Sequence, residues 1–189
     1  MTTEPDQGRT RHVLLVCGSL RARSTNAAVL RTVQADAPAH IVCSCFEGMS
    51  DLPSFNPDLE DQLPVPVTSF RSAIHASDAI LFSTPEYAGA LPGSLKNLLD
   101  WTIGDADPRS VYEKPVGWVD VSPRGAQGAL GELRTVLQYA HARIIEGAVA
   151  DVPVTLDMVG SDGVLRDRAT RDHLAVVLRN VVGESMSGR

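Results

Sequence analysis

The chain predicts an α/β protein: a five-stranded parallel sheet covered by helices on both faces. Two observations carry this. Short, continuous apolar runs alternate with stretches of helical period along all 189 residues. A strand that is apolar at successive positions is buried on both faces, and helices packed on both sides of a parallel sheet supply that burial. Second, no repeat, low-complexity tract or internal linker interrupts the alternation, so a single domain over 12–185 is expected behind a flexible tail over 1–11.

The first strand is His12 to Cys17, with two valines and two leucines, ended by Gly18. A helix follows over Ser24 to Ala37, with Ser24 as N-cap, Leu30 and Val33 on one stripe, and Pro38 as the stop. Ile41 to Phe46 is the second strand. Pro53, Pro57, Pro64 and Pro66 make residues 47–66 an irregular connection. A helix from about Thr68 to Ser77 leads to the third strand, Ala79 to Ser83. Pro92 to Trp101 is helical, with Pro92 early, where its missing N–H is harmless. Gly104 to Glu113 is a polar loop before the fourth strand, Pro115 to Val121. Leu130, Leu133, Leu137 and Ala140 mark the next helix, and Arg143 to Val149 the fifth strand. The last helix carries Leu174, Val177, Leu178, Val181 and Val182 on one stripe.

Composition narrows the function. Hydrophobic residues are 43% and charged residues 21%, ordinary for a globular chain, and the net charge is −6. An acidic balance disfavours a general binder of nucleic acid or anionic membranes, which relies on phosphate neutralisation. No apolar run reaches the length of a membrane span, and the acidic and basic start does not read as a secretory signal. Cys17, Cys43 and Cys45 lack a Cys-x-x-Cys or histidine partner pattern, so reduced thiols in a cytoplasmic protein are expected, and no metal.

In a doubly wound sheet ligands bind outside the carboxyl ends of the strands. The loop after the first strand, Gly18 to Asn26, runs straight into a helix N-terminus, whose unpaired N–H groups and dipole favour an anion. Ser19, Ser24, Thr25 and Asn26 add donors, and Arg21 or Arg23 a fork for phosphate oxygens. The loop has neither Gly-x-Gly-x-x-Gly nor Gly-Lys-Ser, which argues against a dinucleotide fold of the Rossmann kind and against a triphosphatase loop. After the third strand, Thr84 to Trp101 holds two prolines and two glycines among small residues before its helix, a backbone able to approach a flat ligand. Tyr87 is one of few aromatic surfaces, Glu86 reads as a carboxylate ordering its own loop, and Trp101 as a packing residue. No histidine falls in the three ligand loops, so no catalytic side chain is expected.

Gly18-Ser19-Leu20-Arg21 with Ser24 and Asn26, then Pro85-Glu86-Tyr87 and Leu95-Lys96-Asn97-x-x-Asp100-Trp101, resemble the NADPH-dependent FMN reductase family. Leu52-Pro53-x-Phe55-Asn56-Pro57-Asp58-Leu59 and Lys114-Pro115-Val116 extend the resemblance from about Val13 to Ile145. It implies a flavodoxin-like three-layer sandwich of strand order 2-1-3-4-5. It also implies FMN as cofactor and NADPH or NADH as co-substrate, with two-step hydride transfer through the flavin to free flavin, a quinone or another small oxidised acceptor. Ser19, Leu20 (through its backbone), Arg21, Ser24 and Asn26 are then expected to hold the FMN phosphate. Pro85, Glu86, Tyr87 and Ala88 border the ring, and Ser122 and Gly125 complete the pocket. Ala126 stands where the family often has a second glycine, and Ala88 and Ala90 where relatives are often polar. The resemblance further implies a homodimer or homotetramer, with the Leu91 to Trp101 helix as candidate contact. A flavodoxin-like electron carrier and a flavin-binding regulatory module without turnover are the alternatives.

Overall fold

The computed structural model describes residues 9–183. Five parallel strands form one sheet: β1 (Arg11–Cys17), β2 (Ile41–Cys45), β3 (Ala79–Ser83), β4 (Pro115–Asp120) and β5 (Arg143–Asp151). Their order is β2-β1-β3-β4-β5, all parallel, which is the flavodoxin-like arrangement. The chain leaves β1 to one side for β2 and returns to the other for β3, so the topological switch lies between β1 and β3.

Alternate side chains of the strands serve two separate cores. Leu14, Val16, Ile80, Phe82, Val116 and Trp118 pack under α2 (Val65–His75), α3 (Gly93–Asp100) and α4 (Gln127–Tyr139). Val13, Leu15, Ala79, Leu81, Val119 and Ala148 pack under α1 (Thr25–Ala35) and α5 (Arg168–Val181). This is the period-2 alternation of a strand, here apolar on both sides because both faces are covered.

Local differences from the sequence expectation have local causes. β1 begins at Arg11, one residue early, and the Arg9 guanidinium donates to Asp78 at 2.8 Å, which fixes the chain just ahead of this central strand. Residues 1–8 lie outside the described part, as do 184 and 185 of the expected domain. α2 starts at Val65 instead of Thr68, because Pro66 sits in the first turn, where no N–H is needed. The 47–66 connection contains two 3-10 turns, Gly48–Asp51 and Pro57–Gln62, the second capped by Asn56. Asn97 and Trp101 pin this connection. The Asn97 Oδ1 accepts from Phe55 N–H (2.8 Å), and the Asn97 amide and Trp101 Nε1 both donate to the Pro53 carbonyl (2.9 and 2.8 Å). Trp101 is fully buried, a packing residue as expected.

β5 is longer than expected and bulged. Val116 pairs with Ile144, but Trp118 pairs with Val149. Gly117 makes the bulge fit: a Cβ there would lie 2.5 Å from the Ala148 carbonyl oxygen.

Candidate functional site

A cleft of about 510 Å³ opens at the carboxyl ends of β1, β3 and β4, beside the switch point. The three loops singled out in the sequence converge on it. Nine of the eleven expected residues line it: Ser19, Arg21, Ser24, Asn26, Pro85, Glu86, Tyr87, Ser122 and Gly125. Leu20 and Ala88 do not. The Leu20 side chain borders a neighbouring cleft, and Ala88 sits at the tip of a hairpin.

The β1 loop is organised by its own hydroxyls. Ser24 is the N-cap of α1, its Oγ accepting from Ala27 N–H, and the Ser19 Oγ accepts from Arg21 N–H. The Ser19 hydroxyl proton remains for an incoming acceptor, whereas the Ser24 side chain also interacts with the Cys17 sulfur. Asn26 is buried, and the single Ser83 hydroxyl proton is shared between its Oδ1 (2.8 Å) and the Val119 carbonyl (2.9 Å). Asn26 thus fastens the α1 start to the end of β3. Gly18 lets these two strand ends meet, since a Cβ there would lie 2.2 Å from Thr84 Oγ1. Arg21 and Arg23 are exposed at the rim, with no carboxylate partner among the described residues. Burial raises the Cys17 thiol above its ordinary value, so the sulfur beside this loop stays protonated.

After β3 the chain makes a two-residue hairpin. Tyr87 and Ala90 exchange both backbone hydrogen bonds, and Ala88 and Gly89 between them have φ of +53° and +77°. Positive φ at both central positions is a type I′ turn, the form that matches strand twist. Two carboxylates fix the hairpin on α4. The Glu86 Oε2 accepts from the N–H groups of Gly128 (2.7 Å) and Ala129 (3.1 Å). The Glu132 Oε2 accepts from Leu91 N–H (2.8 Å). Glu86 therefore caps the start of a neighbouring helix, and does not merely order its own loop. The contact is so close that a Cβ on Gly128 would stand 2.1 Å from the Gly89 carbonyl oxygen.

The β4 loop hangs on Asp120, which the sequence reading missed. This carboxylate is buried, and it accepts from Ser122 N–H (2.8 Å) and Ala126 N–H (3.0 Å). A lone acid at the end of an apolar strand was the available signal. Gly125 has φ of +76° and needs its freedom. Ala126 has φ of −130° and is fully buried, so an alanine fits where a second glycine was expected. Thr25, Thr84, Val121, Pro123, Arg124 and Leu156 complete the lining, with no histidine.

The cleft pairs two unlike ends. One is a helix start with the Ser19 hydroxyl and two guanidinium groups that have no carboxylate partner among the described residues, suited to a phosphate. The other is a low wall of Pro85, Tyr87 and backbone, suited to a flat ring. At the switch point of a sheet of this order, that combination defines a flavodoxin-like FMN protein. The described residues contain no cluster fit for a metal and no helix long and apolar enough to cross a membrane.

Comparison with known proteins narrows the class. The family model for NADPH-dependent FMN reductase matches residues 11–154. A quinone reductase of Pseudomonas putida is 41% identical over 128 residues, 67% of each chain. A quinone reductase of Escherichia coli is 30% identical over 168 residues, 86% of this chain and 88% of its own. Among solved structures, the flavoenzyme NAD(P)H:(acceptor) oxidoreductase FerB of Paracoccus denitrificans matches with a TM-score of 0.78 at 28% identity, over 90% of this chain and 95% of its own. The chain belongs to the NADPH-dependent FMN reductase family, and it is a flavin-dependent oxidoreductase.

Proposed function

We propose that the chain reduces a small oxidised acceptor, a quinone or free flavin, with hydride taken from NADPH or NADH through FMN seated in the large cleft. The observation that carries this is the union, in one cleft, of the α1 start and the wall around Tyr87. FMN held there would supply the hydride-transfer chemistry. The chain binds and orients. The Ser19 and Ser24 hydroxyls, the Arg21 guanidinium, the Asn26 amide and the Leu20 backbone hold the phosphate. Pro85, Glu86, Tyr87 and the Ala88 backbone border the ring, and Ser122 and Gly125 close the far side. Glu86 acts by holding the hairpin against α4, not by moving a proton. Arg124, exposed above the β4 loop, is placed to meet negative charge developing on the ring.

The test is reconstitution with FMN, then anaerobic titration with each nicotinamide nucleotide, then addition of a quinone. A yellow protein that bleaches with nucleotide and recovers its colour with quinone is expected. A colourless protein that retains no FMN would overturn the assignment. A yellow protein that no nucleotide bleaches would favour an electron carrier or regulatory module.

The protein is further proposed to work in the cytoplasm as a homodimer or homotetramer. Its three cysteines are free thiols, with Cys43 pushed up to about 12 by burial, which suits a reducing compartment. For assembly the helix over Leu91 to Trp101 contributes less than expected. Leu95, Leu98, Leu99 and Trp101 are spent in the home core. The groove beside it, between α3 and α4, exposes Ile103, Tyr112 and Tyr139, and this face is the proposed contact.

A further inference from the structure

Beside the large cleft lies a smaller one, of about 180 Å³, between α1 and the segment following β5. The two clefts share Arg23, Ser24 and Leu156. They therefore meet at the α1 start, the proposed seat of the flavin phosphate, and not at the wall of Pro85 and Tyr87. A single ligand that fills both must continue from the phosphate end of the flavin.

The sequence builds that continuation along one helix face. Ser24, Ala28 and Arg31 follow at i, i+4 and i+7, and all three border the small cleft. Arg31 lies about two turns from the Ser24 cap, roughly 10 Å at the helical rise, and it does not line the large cleft. Helical side chains lean toward the helix N-terminus, so a long arginine here reaches back toward the cap, over the small Ala28. Its side chain runs beside Gly163, where a Cβ would meet the Arg31 Nε at 3.5 Å.

The charge of Arg31 is not matched. It also borders the cleft of Cys17, Cys45 and Glu47, yet it forms no ion pair with a carboxylate of the described residues. Elsewhere the arginines packed on helices are matched: Arg71 with Glu60, Arg134 with Glu146, Arg168 with Asp172 and Arg171 with Asp36. No carboxylate lines the small cleft, and the nearby Asp162 is tied into its own turn, its Oδ1 accepting from Val164 N–H at 3.2 Å. The wall facing α1 is apolar and low: Leu156, 44% exposed, with Val159 and the side-chain-free Gly160 and Gly163.

Leading away from the large cleft, the order is helix start, cation, apolar shelf. A dinucleotide flavin presents the same order beyond its ribityl chain: a first phosphate, a second phosphate, then a ribose with a flat purine. We propose that the small cleft seats the second phosphate and the adenosine of FAD, with Arg31 as ligand of that phosphate, so that the protein takes FAD as well as FMN. The inference rests on a flavin lying in the large cleft with its phosphate at α1, and it deepens that reading by widening the class of flavin held.

The test is calorimetric titration of the full chain, stripped of flavin, with FMN and with FAD. Wild type, Arg31→Ala and Arg31→Lys are compared, and no turnover enters the readout. Wild type should bind FAD at least as tightly as FMN. Arg31→Ala should weaken FAD about tenfold, the worth of one charge-assisted contact, and leave FMN unchanged. Arg31→Lys should keep part of the FAD affinity. The unchanged FMN affinity shows that each variant is folded. Weaker binding of FAD than of FMN by wild type would overturn the proposal. So would an Arg31→Ala variant that loses both flavins alike or keeps FAD in full. If FMN binds and FAD does not, the seat alone fails; if neither flavin binds wild type, the flavin reading of the large cleft fails and the seat falls with it.

Discussion

Ala88 holds φ of +53° at an exposed hairpin tip, a conformation that places Cβ against the following carbonyl. Asparagine tolerates that region better than alanine does, so Ala88→Asn should stabilise the fold by about 0.5 kcal/mol, whereas Ala88→Val should destabilise it by at least about 1 kcal/mol. Paired thermal melts check both signs. The side chain faces solvent, so packing does not confuse the comparison. The requirement was invisible in the sequence. Ala-Gly is not a strong hairpin pair, and the turn forms because Glu86 and Glu132 hold its two ends from outside. The tie from Asn26 was obscure for a similar reason, since its partner Ser83 lies 57 positions away at the end of another strand. By contrast, Ser24 was legible as an N-cap because a cap bonds only three residues ahead.

The hairpin and α4 behave as one unit. Their joint is the close approach of Gly128 to the Gly89 carbonyl, sealed by Glu86. Gly128→Ala therefore has to push the hairpin off the helix. The expected loss is about 1–3 kcal/mol of stability, with FMN retention falling as Tyr87 moves. Chemical denaturation and equilibrium dialysis of FMN measure the two effects. Gly131→Ala, on the open side of the same helix with nothing near its Cβ position, should gain up to about 1 kcal/mol. Equal effects of the two alanines would disprove the joint. Where an element's limits depend on near neighbours, sequence reading located them. β3 matches to the residue, because Ala79 to Phe82 is an apolar run closed by Ser83 and Thr84-Pro85. β5 ran past its expected end, because its bulge answers to Gly117 on the next strand and has no local marker.

The fold keeps its chemistry and its exposed apolar surface apart. The cleft opens at the strand ends, while Ile103, Tyr112 and Tyr139 border the groove between α3 and α4. A second copy covering that groove leaves the cleft at the strand ends open, since the two share no residue. Tyr139 is 88% exposed and has no core role, so Tyr139→Glu should convert an oligomer to monomer without lowering monomer stability. Light scattering after gel filtration reads the mass. A wild-type mass of one chain, or an unchanged assembly in the variant, would remove this face as the contact. Strand order and the layers followed from apolar patterning and the family resemblance, because hydrophobic burial is a property of runs of residues. Assembly was less legible, since the exposed apolar residues that border the groove come from two segments, the connection between α3 and β4 and the end of α4.

The Glu86 carboxylate has a consequence for how the large cleft is oriented. Two helices begin at its walls, and each would draw an anion. At α4 the Gly128 and Ala129 amides are already satisfied by Glu86, so that end is quenched. At α1 the Ser19 hydroxyl and the arginines remain open. The cleft is therefore electrically one-sided. An elongated ligand with a phosphate at one tip is admitted head-first in a single sense, and its other tip comes to rest where the protein has cancelled its own attraction for charge.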